Sequence, residues 1–274
     1  MNISINAEHY RIGRKREERS LREAIGYCRR GGFSHIDINA LGEVDMDGLC
    51  GYIKELGMTV NQSHAPYNRY KQIDYAEFKK ALSDGIKRAD ALASKIYVVH
   101  GDEFDFGSME YTEERALEFN YSLYAPLADY AAAHDMKLAF EILFSDWDRP
   151  RYCSNVEQLL TLTEKFPESV AGVCWDFGHG KLAYKEGGWD DAILKVGDRL
   201  ISTHVQDNFG AHDNHCYPFC GNLDWERAMQ VLFEVRYKGD LTFEFVYDRF
   251  PDAILEEQLR MLYHLGEYLA SLVG

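Results

Sequence analysis

Eight short β-branched runs recur along the chain, with longer stretches of helical spacing between them. The runs are Ile3–Ile5, Ser34–Ile38, Thr59–Ser63, Lys95–Val99, Lys137–Ile142, Gly172–Asp176, Leu200–Val205 and Leu241–Val246. Helical spacing is clearest over Tyr75–Ala93, where Phe78, Ala81, Leu82, Ile86, Ala89 and Leu92 repeat on one face. Glu114–His134, Val156–Phe166, Trp225–Tyr237 and Ala253–Leu272 follow the same rule, and Pro126 is expected to kink or restart the first of these four. Eight strand–helix units in 274 residues predict one domain over the whole chain, a closed (β/α)8 or TIM barrel. An open doubly wound sheet usually carries a glycine-rich first turn, whereas this first turn reads Asn6-Ala7-Glu8-His9-Tyr10. No internal repeat, low-complexity tract or linker divides the sequence.

In such a barrel the chemistry sits at the C-terminal ends of the strands. Strands three to eight end in His64, His100, Glu141, Asp176 (with His179 just beyond), His204 and Glu244. Alternation places Leu138, Phe140 and Ile142 on one face and Ala139 and Glu141 on the other. It likewise sets Val173, Trp175 and Phe177 against Cys174 and Asp176, and Ile201, Thr203 and Val205 against Ser202 and His204. Leu241, Phe243 and Phe245 oppose Thr242 and Glu244 in the same way. The bulky sets suit the helix-facing side, so the acids and imidazoles point inward. Small residues (Ala139, Cys174, Ser202, Thr242) two positions earlier leave room below a shared site.

Three carboxylates crowded into one barrel mouth repel unless a positive group sits among them. A divalent metal resolves the conflict. Glu141, Asp176, His204 and Glu244 form an oxygen-rich set with one imidazole, which suits Mn²⁺, Mg²⁺ or Co²⁺ better than a thiolate-loving ion. Asp213 and His215, two apart in the loop after strand seven, share one side of an extended chain. Cys216 and Cys220 near His212 and His215 lack the paired spacing of a structural zinc site, and the six cysteines are expected as free thiols.

Composition narrows the partners. Thirty basic against 45 acidic side chains give a net charge of −15. The one dense basic run, Arg11 to Arg30, reads as a solvated helix face. Binding to a phosphate backbone needs a basic face, so nucleic acid is disfavoured. No apolar run is long enough to span a membrane, and the polar, basic start of the chain is unlike a secretory signal, so a cytoplasmic location is expected. A homo-oligomer is compatible with all of this.

Across essentially its whole length the chain resembles the xylose-isomerase-like barrel superfamily of sugar isomerases, ketose 3-epimerases, inosose dehydratases and endonuclease IV. The resemblance is carried by Ser63-His64-Ala65-Pro66, Val98-Val99-His100-Gly101, Glu141, Trp175-Asp176-Phe177-Gly178-His179, His204-Val205-Gln206-Asp207-Asn208, Asp213-Asn214-His215 and Glu244. In the isomerase and epimerase branch it implies one divalent ion (Mn, Mg, Co or Zn) on Glu141, Asp176, His204 and Glu244. His64, His100, His179, Asp213 and His215 would then line the site of a sugar or polyol. The implied reaction is proton transfer next to a carbonyl through a metal-stabilised enediolate, with Glu141 and Glu244 as the proton-carrying groups. Tyr67, Phe104, Phe106, Phe144 and Trp147 offer apolar surfaces to a sugar ring.

A trinuclear-zinc endonuclease of the same superfamily would use all nine of these polar positions. The acidic charge, Ile142-Leu143 where such enzymes typically carry Asn-Thr, and the absence of Lys or Arg from Val205 to Glu226 favour the sugar branch. A keto-inositol dehydratase is the alternative within that branch. Ketose epimerases often carry an Arg beyond the strand-seven His, and none occurs here; the loop instead continues Cys216-Tyr217-Pro218-Phe219-Cys220-Gly221. Arg11 to Arg22 follows strand one, where Arg11 and Arg14 could meet an anionic group on the substrate.

Overall fold

A computed structural model describes residues 1–11, 19–39, 45–68, 71, 73–145, 150–245 and 250–272. Strands β1 (Ile3–Asn6), β2 (His35–Asp37), β3 (Thr59–His64), β4 (Ile96–His100), β5 (Lys137–Glu141), β6 (Ala171–Asp176), β7 (Leu200–Val205) and β8 (Leu241–Phe243) pair in parallel, each with the next. Strand β8 returns to β1 through Ile3 opposite Leu241 and Ser4 opposite Thr242, which closes the barrel expected from the sequence. The eighth strand ends at Phe243, short of the Glu244 and Phe245 expected in it, and Val246 lies outside the described residues.

The described residues form helices α1 (Leu21–Arg30), α2 (Met46–Glu55), α3 (Tyr75–Ala91), α4 (Glu113–Ala133), α5 (Val156–Thr163), α6 (Phe177–Ala183), α7 (Trp189–Val196), α8 (Trp225–Glu234) and α9 (Asp252–Ser271). Their starts are written into the sequence as capping residues. Ser20 and Glu23 form a reciprocal capping box, and Asp74, Thr112, Asn155 and Asp224 each accept a first-turn backbone N–H. Helix α4 runs through Pro126 without restarting there. Pro126 and Ser122 are both solvent-exposed, so the carbonyl deprived of its helical partner faces water. Helices α2, α6 and α7, seven to ten residues long, are not among the helical stretches expected from the sequence.

Two register shifts shape the barrel interior. Between β6 and β7 the pairing steps from Val173–Leu200 to Cys174–Ser202. Ile201 therefore leaves the helix-facing set to which simple alternation assigned it, and packs with Ile96, Val98, Ala139 and Cys174 in a small core separate from the main one. A second shift, from Ile36–Val60 to Asp37–Gln62, gives both Asn61 and Gln62 partners on neighbouring strands. Asn61 joins Ser4 (2.7 Å) to Thr242 (3.0 Å), and Gln62 donates to Asp37 (3.2 Å). Below His100, Glu141 and Asp176, the wall formed by β4 to β6 is thus apolar, whereas the β1–β3 and β8 wall is polar.

The basic run is not a uniformly solvated face. Arg19 is buried and binds Tyr10 O (2.8 Å) and the Asp252 carboxylate, while Arg30 pairs with Glu256 at the surface (3.0 Å). Arg11 pairs with Glu8 (3.1 Å), and Arg14 lies outside the described residues.

Candidate active site

All nine polar residues singled out from the strand ends and the following loops meet at the C-terminal mouth. Glu141 is the hub. Its Oε2 lies 3.2 Å from both His64 Nε2 and His100 Nε2; its Oε1 lies 3.0 Å from His179 Nδ1 and 3.3 Å from His204 Nδ1. The same His204 Nδ1 is 3.2 Å from Glu244 Oε2 and 3.9 Å from Asp176 Oδ2. On the outer side, Asp213 Oδ2 sits 3.2 Å from His179 Nε2 and 3.1 Å from His215 Nε2. Tyr67 is exposed and stacks on His100 with ring centres 4.8 Å apart, and Phe144 lies 5.4 Å from His179. Phe104, by contrast, is fully buried against Phe106, Tyr111 and Phe119 and offers no surface to a ligand. Trp147 lies outside the described residues.

Local structure fixes these positions. Strand β6 runs directly into α6, whose N-cap is Asp176: Oδ1 accepts from His179 N at 2.7 Å. That bond places His179 one helical turn above Asp176. The Gln206 amide then packs on Gly178, where a Cβ would fall within 2.1 Å of it, and donates from one nitrogen to Asp176 Oδ1 (2.9 Å) and Asp213 Oδ1 (3.0 Å). The loop beyond β7 is organised by buried Asp207. Its carboxylate accepts from the backbone N–H of Asn208 (2.8 Å), Phe219, Gly221 and Leu223 (3.2 Å each) and from Trp225 Nε1 (2.9 Å). A backbone bridge between Asp207 and Cys216 closes the loop that carries Asp213 and His215. His215 Nδ1 is anchored on Glu244 O at 2.9 Å.

The electrostatics follow from burial and crowding. Burial alone would raise the Glu141 carboxyl, but the imidazoles of His204, His100 and His179 outweigh it and hold it well below its usual range. Burial pushes Asp176 up to about 7, against the pull of His179 and with the repulsion of Glu141 and Glu244. His215 is raised to about 9: burial favours its neutral form, but Asp213 and Glu244 overcome that. His179 is held well above the usual imidazole range, burial again being outweighed, here by Asp176 and Asp213.

The residues present fit a divalent cation. Ligand atoms of Glu141, Asp176, His204 and Glu244, all buried, lie within 4.8 Å of one another. Asp176 Oδ2 and His204 Nδ1 are buried with no aligned hydrogen-bond partner, and both belong to this cluster. Orphaned polar atoms of this kind are costly unless a cation engages them. His64, Glu141 and His204 form an overlapping set, and His179, Asp213 and His215 a further one, by the same criterion of mutual distance.

Sequence reasoning missed the groups that support this cluster. Gln62 Nε2 lies 2.8 Å from His204 Nε2 and 3.2 Å from Asp37, whose buried carboxyl is pushed up to about 6. His9 follows β1 with its Nδ1 buried and unpartnered; burial draws the ring down to about 4 despite the opposing field of Glu244. The signal for His9 was its place just beyond the first strand. Asp37 and Gln62 carry no spacing that marks them, and Gln206 and Asp207 enter the sequence reading only within the string that follows His204.

Among proteins of known sequence, the chain is 26% identical to an uncharacterized protein of Sinorhizobium fredii over 91% of its own length and 89% of that protein's. It is 24% identical to an L-ribulose 3-epimerase of a Methylomonas species, over 91% and 88% of the two chains. In structure it resembles a D-tagatose 3-epimerase-like protein over the full length of both chains, with a TM-score of 0.78 at 20% identity. A D-psicose 3-epimerase gives the same TM-score and coverage at 14% identity. The family model of the xylose isomerase-like TIM barrel matches residues 23–265, and the chain belongs to that family.

Proposed function

We propose that this protein is a divalent-metal-dependent sugar isomerase or epimerase that moves a proton on the carbon next to a carbonyl. One observation carries the reading: four buried ligands, three of them carboxylates, converge within 4.8 Å at the catalytic end of the barrel. The similarity to an L-ribulose 3-epimerase and to D-tagatose and D-psicose 3-epimerase structures supports sugar as the substrate class.

Glu141, Asp176, His204 and Glu244 would hold the ion, which supplies Lewis-acid polarisation of a carbonyl and its neighbouring hydroxyl. Glu141 and Glu244 enter from β5 and the end of β8, flanking His204, so one can take the proton from carbon and the other return it. The imidazoles around Glu141 keep it ionised and able to accept. His179 lies between Glu141 and Asp213 and can carry a proton from the reacting centre toward the outer loop. His64, His100, Asp213 and His215 line the remaining wall, where they would bond sugar hydroxyls.

The test is direct. Protein stripped with chelator and reloaded with Mn²⁺, Mg²⁺, Co²⁺ or Zn²⁺ is incubated in D₂O with a panel of ketoses and keto-polyols. Metal-dependent deuterium uptake at the carbon beside the carbonyl, with formation of an epimer or isomer, is the expected result. Loss of water in place of epimer formation would make the protein a dehydratase. No exchange with any member of the panel under any metal would overturn the proposal.

A further inference from the structure

The polar groups behind the candidate ligands include one that touches both halves of the site. Gln206 follows β7, is fully buried, and donates from a single amide nitrogen to Asp176 Oδ1 and Asp213 Oδ1. The orientation of this amide is fixed by chemistry. Ionised carboxylates only accept, so the NH₂ end must face them, and its two hydrogens match two acceptors. Each bond occupies one oxygen of a carboxylate and thereby aims the other. Asp176 is left with Oδ2, an atom without a hydrogen-bond partner that lies 3.9 Å from His204 Nδ1; Asp213 is left with Oδ2, the atom shared by His179 and His215.

We propose that Gln206 is a positioning residue that holds the Asp176 and Asp213 carboxylates in the rotamers needed to engage a cation and the outer imidazoles together. The inference rests on the metal reading above and deepens it. Without this donor, Asp176 keeps the His179 N–H but loses its second restraint, and Asp213 Oδ1 is left without its protein donor. Both carboxylates then rotate more freely, and the ordering cost falls on ion binding. Gly178 belongs to the same device, because any side chain there would displace the amide.

The experiment is calorimetric titration of Mn²⁺ and Zn²⁺ into chelator-stripped full-length protein, paired with thermal unfolding. Gln206→Met keeps the length and volume but removes the donor; Gly178→Ala keeps the donor but pushes it away. Both are expected to weaken metal affinity by roughly 10- to 100-fold, the usual effect of losing a group that orients a ligand. Asn61→Leu is the control. That amide lies in the barrel interior and bonds Ser4 and Thr242 rather than any candidate ligand, so its loss is expected to lower Tm with metal affinity unchanged. Affinity within twofold of wild type in Gln206→Met and Gly178→Ala would overturn the proposal, as would an equal affinity loss in Asn61→Leu. If one of the two variants fails to fold, the other carries the test. Wild-type protein that takes up neither ion is a different result, and overturns the metal reading on which the inference rests.

Discussion

Asp176→Asn is expected to act with opposite sign in the metal-free and metal-loaded protein. Asp176 uses Oδ1 for the His179 N–H and Gln206, so asparagine can keep both bonds through its own Oδ1. Its amide nitrogen then takes the place of Oδ2, which has no hydrogen-bond partner among the described residues. In the stripped protein the carboxyl is pushed from 3.8 to about 7 by burial and by its acidic neighbours. A carboxyl raised on folding binds its proton more tightly in the native state. Stability therefore falls as pH rises through that window, and the whole penalty is present above it. A gap of about three pK units corresponds to a ceiling of about 4 kcal/mol, or about 8 °C in Tm at about 2 °C per kcal/mol for a chain of this size. The neutral isostere removes that penalty. It also turns an N–H toward the cation position. Wild type in Mn²⁺ at about 100 times Kd should gain about 2.7 kcal/mol, near 5 °C, and the variant should gain nothing. The assay is thermal unfolding at pH 8 with chelator and with Mn²⁺. A variant less stable than wild type in chelator, or one that keeps the full Mn²⁺ increment, would refute the reasoning.

Glu141→Gln and Glu244→Gln should each lower kcat for epimerisation by about 10²- to 10⁴-fold, measured with metal content confirmed in each sample; rates within tenfold of wild type would remove either residue from proton transfer. Glu103, buried beneath the loop after β4, accepts from Asn68 N and Tyr75 Oη and is pushed up to about 8 by burial. Folding therefore favours its protonated form: wild type loses stability as pH rises from 4.5 toward 8. Glu103→Gln should be more stable than wild type by up to about 3 kcal/mol at pH 7 and indistinguishable near pH 4.5, read from denaturant midpoints at the two pH values.

Much of the fold was legible because a parallel barrel repeats one unit. Each strand is a β-branched run, and seven of the eight runs located their strands to within one residue; the eighth strand ends at Phe243, short of Glu244 and Phe245, which the run had included. Alternation then pointed Glu141, Asp176, His204 and Glu244 inward, and their ligand atoms do converge. It failed where the ladder slips. Ile201 is inside because a register shift is a property of two paired strands, and one strand's own sequence does not reveal it. Phe104 was misread for a related reason: a loop aromatic faces a ligand or a core according to what packs beneath it, here Phe119 of α4. Gln206 and Asp207 stand in the string that follows His204, but their roles are not legible there because they depend on groups the fold brings to them, Asp176 and Asp213 for Gln206 and Trp225 and Gly221 for Asp207.

The charge balance at the mouth carries one more consequence. Four carboxylates (Glu141, Asp176, Asp213, Glu244) face five imidazoles (His64, His100, His179, His204, His215) within a few ångströms. In the metal-free protein His64, His179, His204 and His215 supply the positive charge, whereas burial draws His100 down; His215 is held up to about 9 for this reason. A divalent ion replaces that charge and needs His204 unprotonated, so binding must expel protons. At pH 7 about one or more protons should leave per ion bound, and fewer as pH rises past about 9. Calorimetric titration of Mn²⁺ in buffers of differing ionisation enthalpy reads this number as a slope. The affinity should rise with pH over the same range, because protons and the ion compete for the same cluster. A slope of zero at pH 7 would mean that neither the imidazoles nor the carboxylates of the empty site hold a proton for the ion to displace, and would refute this charge balance.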